Sequence, residues 1–372
     1  MPESWTARSL GIEQPWRMAF YTLEDGPVAD GRFRVETVST GLSTGTELSW
    51  YKGTSPYLSA TWDERLGVFR PGTPSVRYPI RSLGYMEVGR VVASRSRAVT
   101  EGQLVAMAYG HKTGHTADPA TERFVPIPAD LDPVLGVYVA HMGPICANGL
   151  LHATADTAGS GALQLGDGVR GRNVLVTGGG VVGLLTGLFA AHHGAAAVVV
   201  SDPTPQRRAA AEGLGLEAVD PADGADWLTV KERWRHGPAD CGADVVFQCR
   251  GHAGVLAGAL RALRPQGSVI DLAFYQEGAA DLRLGEEFHH NGLSLRCAQI
   301  GRVPRGLAHL WSRRRLAVET IDVLRAHGDR IRKHLVTDVV PLDDAPAIVD
   351  GIARRRRHAL QVVFEVGGPG SG

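Results

Sequence analysis

The sequence predicts an α/β chain in which a β-rich domain is joined to a doubly wound parallel sheet. Three observations carry this expectation. Residues 32–128 read as short β-rich pieces punctuated by Gly and Pro, among them RFRVETVSTG, MEVGRVVASR, QLVAMAYG and ERFVPIP. Beyond residue 172 strand-like and helix-like segments alternate, the pattern of a parallel sheet with right-handed crossovers. The strand segments are continuous apolar runs such as VLV and VVV, as strands covered on both faces require.

With 372 residues the chain exceeds one ordinary core, since domains run to roughly 100–200 residues. The domains are placed at 1–150, 151–303 and 304–372, the last being a return to the first domain. In order, the segment from Pro133 to Ala155 has the spacing of a helix leading out of the β-rich domain. RNVLVTG is a strand, GVVGLLTGLFAAHHG a helix, AAVVVSD a strand and PQRRAAAEGLG a helix. ADVVFQCRG is a strand, GVLAGALRALRPQG a helix and SVIDLAF a strand. LAHLWSRRRLAVETIDVLRAHG is helical, ALQVVFEV is a closing strand, and the tail GGPGSG reads as unstructured.

Basic and acidic residues number 39 each, so the chain lacks the electrostatic footprint of a nucleic-acid binder and a small-molecule partner is expected. The run Arg354 to Arg357 reads as a solvated helix end favoured by the helix dipole, ahead of an anion-binding patch. Cys146, Cys241, Cys249 and Cys297 form no C-x-x-C pair, which fits a reducing cytoplasm. The N-terminus has no basic stretch followed by an apolar segment, and no apolar run is read as reaching the roughly 18 residues of a membrane span. A cytoplasmic protein without a membrane partner is expected.

VLVTGGGVVG is the most specific signal. Gly178, Gly180 and Gly183 form G-x-G-x-x-G directly after a strand and before a helix, with Val181 and Val182 opening the helix. The first glycine allows a tight turn, the second lets backbone approach a pyrophosphate, and the third lets helix and strand pack closely. The helix end offers N–H groups and a positive dipole end to phosphates. Asp202, nineteen residues past Gly183, suits both ribose hydroxyls of NAD and repels the 2′-phosphate of NADP. Arg207 and Arg208 complicate that preference, Arg207 either lying against the adenine or meeting a 2′-phosphate. Cys249, at the end of a later strand, joins the cofactor-binding candidates.

GLSTGTELSWYKG, GYMEVGRVV, the glycine motif with its helix, SDPTPQRRAAAEGLG, GADVVFQCRGHAGVLAGALRALRPQGSV and HALQVVFEV together resemble the alcohol dehydrogenase-like medium-chain dehydrogenase/reductase family over nearly the whole chain. The resemblance implies a GroES-like catalytic domain, a Rossmann domain and a homodimer or homotetramer. It also exposes departures. Where zinc-dependent members carry Cys-Gly-Thr-Asp, this chain has Thr44, Gly45, Thr46 and Glu47; where they carry Gly-His-Glu, it has Gly84, Tyr85 and Met86. A hydroxyl, a phenol and a thioether are poor donors to a catalytic zinc. No metal is therefore expected, and the chain looks similar to the zinc-independent branch containing bacteriochlorophyllide dehydrogenase-like and secondary-metabolism enzymes.

Without a metal, a developing alkoxide needs hydrogen-bond donors and a general acid/base. Tyr85 is one candidate, with a core tyrosine as the equal alternative. Thr46 matches the family's proton-relay hydroxyl, Ser49 falls where relatives carry a further relay group, and Glu47 orients Tyr85 or binds a substrate hydroxyl, with a capping or salt-bridging role as the commoner alternative. His111, Lys112 and His115 in YGHKTGHTAD are expected in a Gly-rich loop that presents an imidazole to a cleft. Ser49, His141 and Asn148 are substrate-binding candidates. The expectation is an NAD-dependent, zinc-independent oxidoreductase acting on a secondary alcohol or ketone of a polar small molecule, such as a sugar, cyclitol or specialised metabolite. A carbon-carbon double-bond reductase, a redox-neutral epimerase or eliminase with retained NAD, and a non-catalytic NAD-binding sensor remain as alternatives.

Overall fold

In the computed structural model, which describes residues 5–367 apart from 281, the chain divides into two compact units. The first takes the chain up to His141 and again from Val336; the second is Met142–Leu335. Most of the GGPGSG tail lies outside the described residues.

The first unit opens with an antiparallel hairpin, Trp5–Gln14 with Arg17–Asp25. Strand β1 (Phe33–Gly41) leads into helix α1 (Thr44–Lys52), which ends at Gly53 in a left-handed conformation. A second hairpin, Ala60–Asp63 with Val68–Pro71, precedes β2 (Glu87–Ser94), β3 (Leu104–Met107) and β4 (Gly114–Ala117). Strand β1 pairs antiparallel with both β2 and β4. Phe33, Val35, Val91, Val105 and Met107 fill the core beneath these strands.

The expected helix from Pro133 contains a wider π-type turn at Tyr138–Met142, where the division between the units falls. The run Pro133–Thr157 is long and apolar enough to cross a membrane, which corrects the expectation that no run is; 78% of its apolar window is buried inside the protein, as for a core helix.

In the second unit, helix α2 (Gly143–Thr157) is followed by β5 (Asn173–Thr177), α3 (Val181–His192), β6 (Ala197–Ser201), β7 (Glu217–Val219), β8 (Ala243–Gln248), β9 (Leu263–Asp271) and β10 (Ser294–Cys297). All pairs are parallel in the order β7-β6-β5-β8-β9-β10. This is the doubly wound Rossmann order, whose switch point lies between β5 and β8. Leu175, Val246 and Val269 are fully buried on it, each stabilising by roughly 1.5–3 kcal/mol relative to exposure. Helix α4 (Arg313–His334) packs on α2 and belongs to this unit, so the boundary expected near residue 303 moves to Leu335. The physical reason is its apolar stripe, including Leu316, Val323 and Leu324, which is buried within this unit.

The chain then returns to the first unit. Strands β11 (Val336–Pro341) and β12 (Gln361–Glu365) pair parallel, and β12 joins β1, giving the order β11-β12-β1-β2-β3. The arginine run follows helix Ala345–Ala353: Arg354 and Arg356 pair with Asp350, and Arg357 with Asp338.

Candidate functional site

In the second unit the glycine motif forms the turn between β5 and α3. Gly178 has φ +104°, a conformation that favours glycine, and a Cβ on Gly183 would stand 1.8 Å from the Gly178 carbonyl oxygen. A Cβ on Gly180 would meet nothing within 4 Å, so the backbone there is open to a ligand. Gly180 caps α3 with its backbone in extended conformation and without a side-chain cap, leaving the helix end at Val181 and Val182 suited to an anion. A cavity of about 300 Å³ adjoins the turn, lined by Gly178, Ser201, Pro203, Trp227, Arg250 and Arg261. It lies at the carboxyl ends of the strands, where this sheet topology places nucleotides.

Asp202 follows β6 and is fully buried. Its Oδ2 accepts from Gly179 N at 2.8 Å and lies 3.4 Å from Arg207 Nη1, while Oδ1 accepts from Thr204 N at 2.8 Å. Burial works to raise its pKa, but the Thr204 and Gly179 amides and Arg207 outweigh it and hold the carboxyl below its usual range. The carboxylate thus braces the glycine turn as well as facing Arg207. Arg207 Nε is buried without a hydrogen-bond partner among the described residues, an unmet donor beside the turn. An open glycine, an uncapped helix end and an unmet donor together fit a dinucleotide.

Cys249 N donates to Thr177 O, holding the end of β8 beside the turn. Its thiol is raised well above its ordinary range by burial, which makes it a packing group. Asn148 is fully buried: its Nδ2 donates to the carbonyls of Ala298, Gln299 and Arg302 at 3.2–3.3 Å. The structure therefore uses it to tie α2 to the segment after β10, in place of the substrate contact expected.

The first unit collects hydroxyls around Tyr85. Its phenol is within hydrogen-bond reach of Ser43 Oγ and 3.4 Å from Thr46 Oγ1, and its ring lies 4.6 Å from that of His141. Helix α1 supplies Thr46, and its preceding residue supplies Ser43. Burial raises the phenol pKa more than the Ser43 and Thr46 hydrogen bonds lower it, and the charges of Glu47 and Glu87 add to the rise. Ser49 is buried and donates to Thr46 O at 2.6 Å, a helix back-bond that takes it out of the expected relay.

His111 corrects the picture of an exposed Gly-rich loop: its side chain is 0% exposed. Nε2 lies 2.7 Å from Glu47 Oε2 and Nδ1 lies 2.6 Å from Thr40 Oγ1. Thr40 also donates to Glu87 Oε1 at 3.1 Å, and Glu87 Oε2 accepts from Tyr109 N at 2.8 Å. His115 sits on β4, pairs with Glu122 at 2.6 Å and stacks on Tyr109 at 4.9 Å. Its placement in a strand follows from β4 pairing with β1, a long-range contact that outweighs the glycines ahead of it. Lys112 is partly buried, and burial lowers its pKa against the opposing pull of Glu87 and Glu122.

Ser43, Thr40 and Glu87 were not singled out from the sequence. None of the three had a readable signal: Ser43 N donates to Glu47 Oε1 at 2.8 Å across the first turn of α1, but Glu47 lies one residue beyond the capping-box spacing and Ser43 makes no side-chain cap.

Zinc does not fit the residues at the positions the family would use. Met86 is fully buried and packed against Gly41, the Tyr85 phenol is committed to Ser43, and Thr44 brings a neutral hydroxyl. Among the described residues no group of three or more His, Cys, Asp or Glu is arranged to hold a metal.

Residues 181–310 match the family model described as zinc-binding dehydrogenase. The chain is 24% identical over 345 residues to D-guloside 3-dehydrogenase of Escherichia coli strain K12, covering 91% of this chain and 94% of that protein. Alcohol dehydrogenase from Thermotoga maritima superposes with a TM-score of 0.74 at 19% identity, covering 98% of this chain and all of the other (100%). L-idonate 5-dehydrogenase from Escherichia coli superposes with a TM-score of 0.71 at 16% identity, covering 97% and 99%. At these identities the solved structures show a shared fold.

Proposed function

We propose that the chain is an alcohol dehydrogenase-like medium-chain dehydrogenase/reductase, working as an NAD-dependent oxidoreductase on a secondary alcohol or ketone without zinc, a reading that its family-model match and its full-length relative support. The observation that carries this reading is the Ser43, Tyr85 and Thr46 hydroxyl cluster, in which Tyr85 stands at the position where zinc-dependent members carry a His ligand. Bound nicotinamide supplies the hydride acceptor or donor. In the reducing direction the Tyr85 phenol donates to the oxygen as charge develops there, and Ser43 and Thr46 hydroxyls support the phenolate left behind. Because its pKa is raised, Tyr85 holds its proton at neutral pH and serves as the acid.

The second unit's residues hold the cofactor: Gly178 and Gly180 admit the pyrophosphate, the start of α3 faces it, and Asp202 and Arg207 meet the adenosine ribose. A relative named for a guloside and a neighbour named for an idonate support a polyhydroxylated substrate of the sugar or polyol class. Production in the cytoplasm as a homo-oligomer is part of the same proposal.

Two expected results test it. Metal analysis of the purified protein finds far less than one zinc per chain, and a chelator leaves turnover unchanged; stoichiometric zinc overturns the metal-free reading. Calorimetric titration finds NAD bound more tightly than NADP, and Asp202→Ala weakens NAD by roughly tenfold, about 1.4 kcal/mol, while narrowing the preference. A wild-type preference for NADP rejects the role given to Asp202.

A further inference from the structure

Behind Tyr85 lies a sealed cluster of charged groups. Glu47 is 2% exposed, and Glu87 and His111 are 0% exposed, so the three side chains are shut off from bulk solvent. Ionised groups placed this deep require partners, and each hydrogen bond constrains where the protons are. Thr40 has one hydroxyl proton, which it gives to Glu87 Oε1. Its oxygen must then accept from His111 Nδ1 at 2.6 Å, which makes Nδ1 a donor. His111 Nε2 faces a carboxylate oxygen of Glu47 at 2.7 Å, and a carboxylate accepts, so Nε2 is a donor too. A ring that donates from both nitrogens is an imidazolium.

The remaining oxygens support the same assignment. Glu47 Oε1 accepts from Ser43 N and Glu87 Oε2 accepts from Tyr109 N; burial raises the Glu87 carboxyl above its ordinary range, and the His111 charge with the Tyr109, Gly110 and Met86 amides pulls against that rise. Gly84 has φ +102°, and a Cβ there would stand 2.9 Å from His111 Nε2; the absent side chain makes room for the ring. The ring's other neighbour is the edge of Phe364 on β12, which is apolar. The charged or titratable groups around it are Glu47 from α1, Glu87 from β2, and Lys112 and Tyr109 from the segment that carries it; Tyr85 faces the same carboxylates. The charges that act on the ring are the two carboxylates Glu47 and Glu87, while Lys112 is shared between Glu87 and Glu122.

We infer that His111 is a buried imidazolium that supplies the internal positive charge at this site, balancing Glu47 and Glu87 and thereby holding Ser43 against Tyr85. It is a positioning residue: the chain of contacts runs from His111 through Glu47 to the Ser43 backbone, and from the Ser43 hydroxyl to the phenol. A site without suitable metal ligands thus carries its cation as a side chain. The electrostatics agree in direction, since burial opposes the charged ring and the Glu47 and Glu87 carboxylates outweigh it, raising its pKa. A His whose folded-state pKa is raised contributes stability that is complete below its unfolded value of about 6.5 and is lost as pH rises through the raised value.

The kinetic part of this inference rests on Tyr85 being the proton donor; the charge state does not. Nitrogen-15 NMR of histidine-labelled protein, holding the full chain, reads the charge directly. Both His111 nitrogens are protonated at pH 7.5, where an ordinary imidazole is neutral, and the resonance is identified by its loss in His111→Gln. A neutral ring with one unprotonated nitrogen at pH 7.5 overturns the inference whatever the kinetics show. Kinetically, His111→Gln lowers kcat roughly tenfold or more without moving the Kd for NAD, because it leaves Glu47 buried and unpaired. Adding Glu47→Gln to it removes the stranded charge and returns kcat to within about threefold of wild type. Losses that simply add in the double variant mark His111 as a direct proton carrier and overturn the positioning role. If Tyr85→Phe is harmless while the NMR result holds, the charge assignment stands and only the identity of the proton donor fails.

Discussion

Tyr85→Phe lowers kcat by roughly 10²–10⁴-fold, the range expected for losing a positioned general acid, while Kd for NAD stays unchanged. The substitution removes one oxygen and keeps the ring, its packing and its contact with His141. What disappears is the donor facing a developing alkoxide, an interaction made in the transition state and worth most there. Loss of the Ser43 hydrogen bond costs about 0.5–1.5 kcal/mol of stability, too little to unfold the chain and account for such a drop. The pH profile separates this from structural damage. Because burial and the Glu47 and Glu87 charges raise the phenol above its ordinary value of about 10, the wild-type rate of ketone reduction has no loss from this group through neutral pH and declines as the phenol ionises in strong alkali. In Tyr85→Phe the residual rate lacks that decline. The measurement is steady-state reduction of the best substrate in a panel of ketoses and keto-polyols, followed through absorbance of the reduced cofactor. An unchanged kcat would reject Tyr85 as the acid.

What could be read from the sequence was local in the chain. The parallel strands announced themselves as unbroken apolar runs, and the glycine motif between β5 and α3 combines turn, helix start and spacing within ten residues. Helix α1 was not marked as a helix, since TGTELSWYK has no apolar stripe; its start is tied by Glu47 to Ser43 and its end by Gly53. Helix α4 was legible as a helix but not as part of the second unit, because an amphipathic stripe says that a face is covered and not by which core. At the site, Tyr85 and Thr46 stood out as replacements within a recognisable pattern. The partners of His111 did not, for Glu47 is 64 residues away and Thr40 is 71, and only strand pairing between β1, β2 and β4 brings those segments together. Gly110 and Gly114, both ahead of His115, suggested a loop, whereas pairing with β1 makes the segment from Gly114 a strand.

Within the glycine motif, Gly180→Ala and Gly183→Ala produce opposite patterns of loss. Both exchange hydrogen for methyl five residues or fewer from Gly178, but the space they meet differs. At Gly183 the new Cβ would stand 1.8 Å from the Gly178 carbonyl oxygen and 3.3 Å from Val176 Cγ1, so helix α3 must move off β5 or the turn must open. Overpacking of this kind costs about 1–3 kcal/mol or more, equivalent to a fall in Tm of roughly 2–12 °C for a unit of this size. The displaced turn also loses its fit to a pyrophosphate, so stability and NAD affinity fall together. At Gly180 nothing lies within 4 Å of the added methyl, and the backbone has φ −80°, which any residue adopts. Tm therefore holds to about 2 °C, since a strain-free surface change stays within roughly 0.5 kcal/mol. The methyl nevertheless occupies the approach that a pyrophosphate needs, and NAD binding weakens at least about tenfold. Thermal unfolding without cofactor and calorimetric titration with NAD measure the two effects separately. Full NAD affinity in Gly180→Ala would remove this turn from the cofactor site, and with it the reason to place the phosphates at the start of α3; a stable Gly183→Ala that still binds would mean that helix and strand have more freedom than their close approach implies.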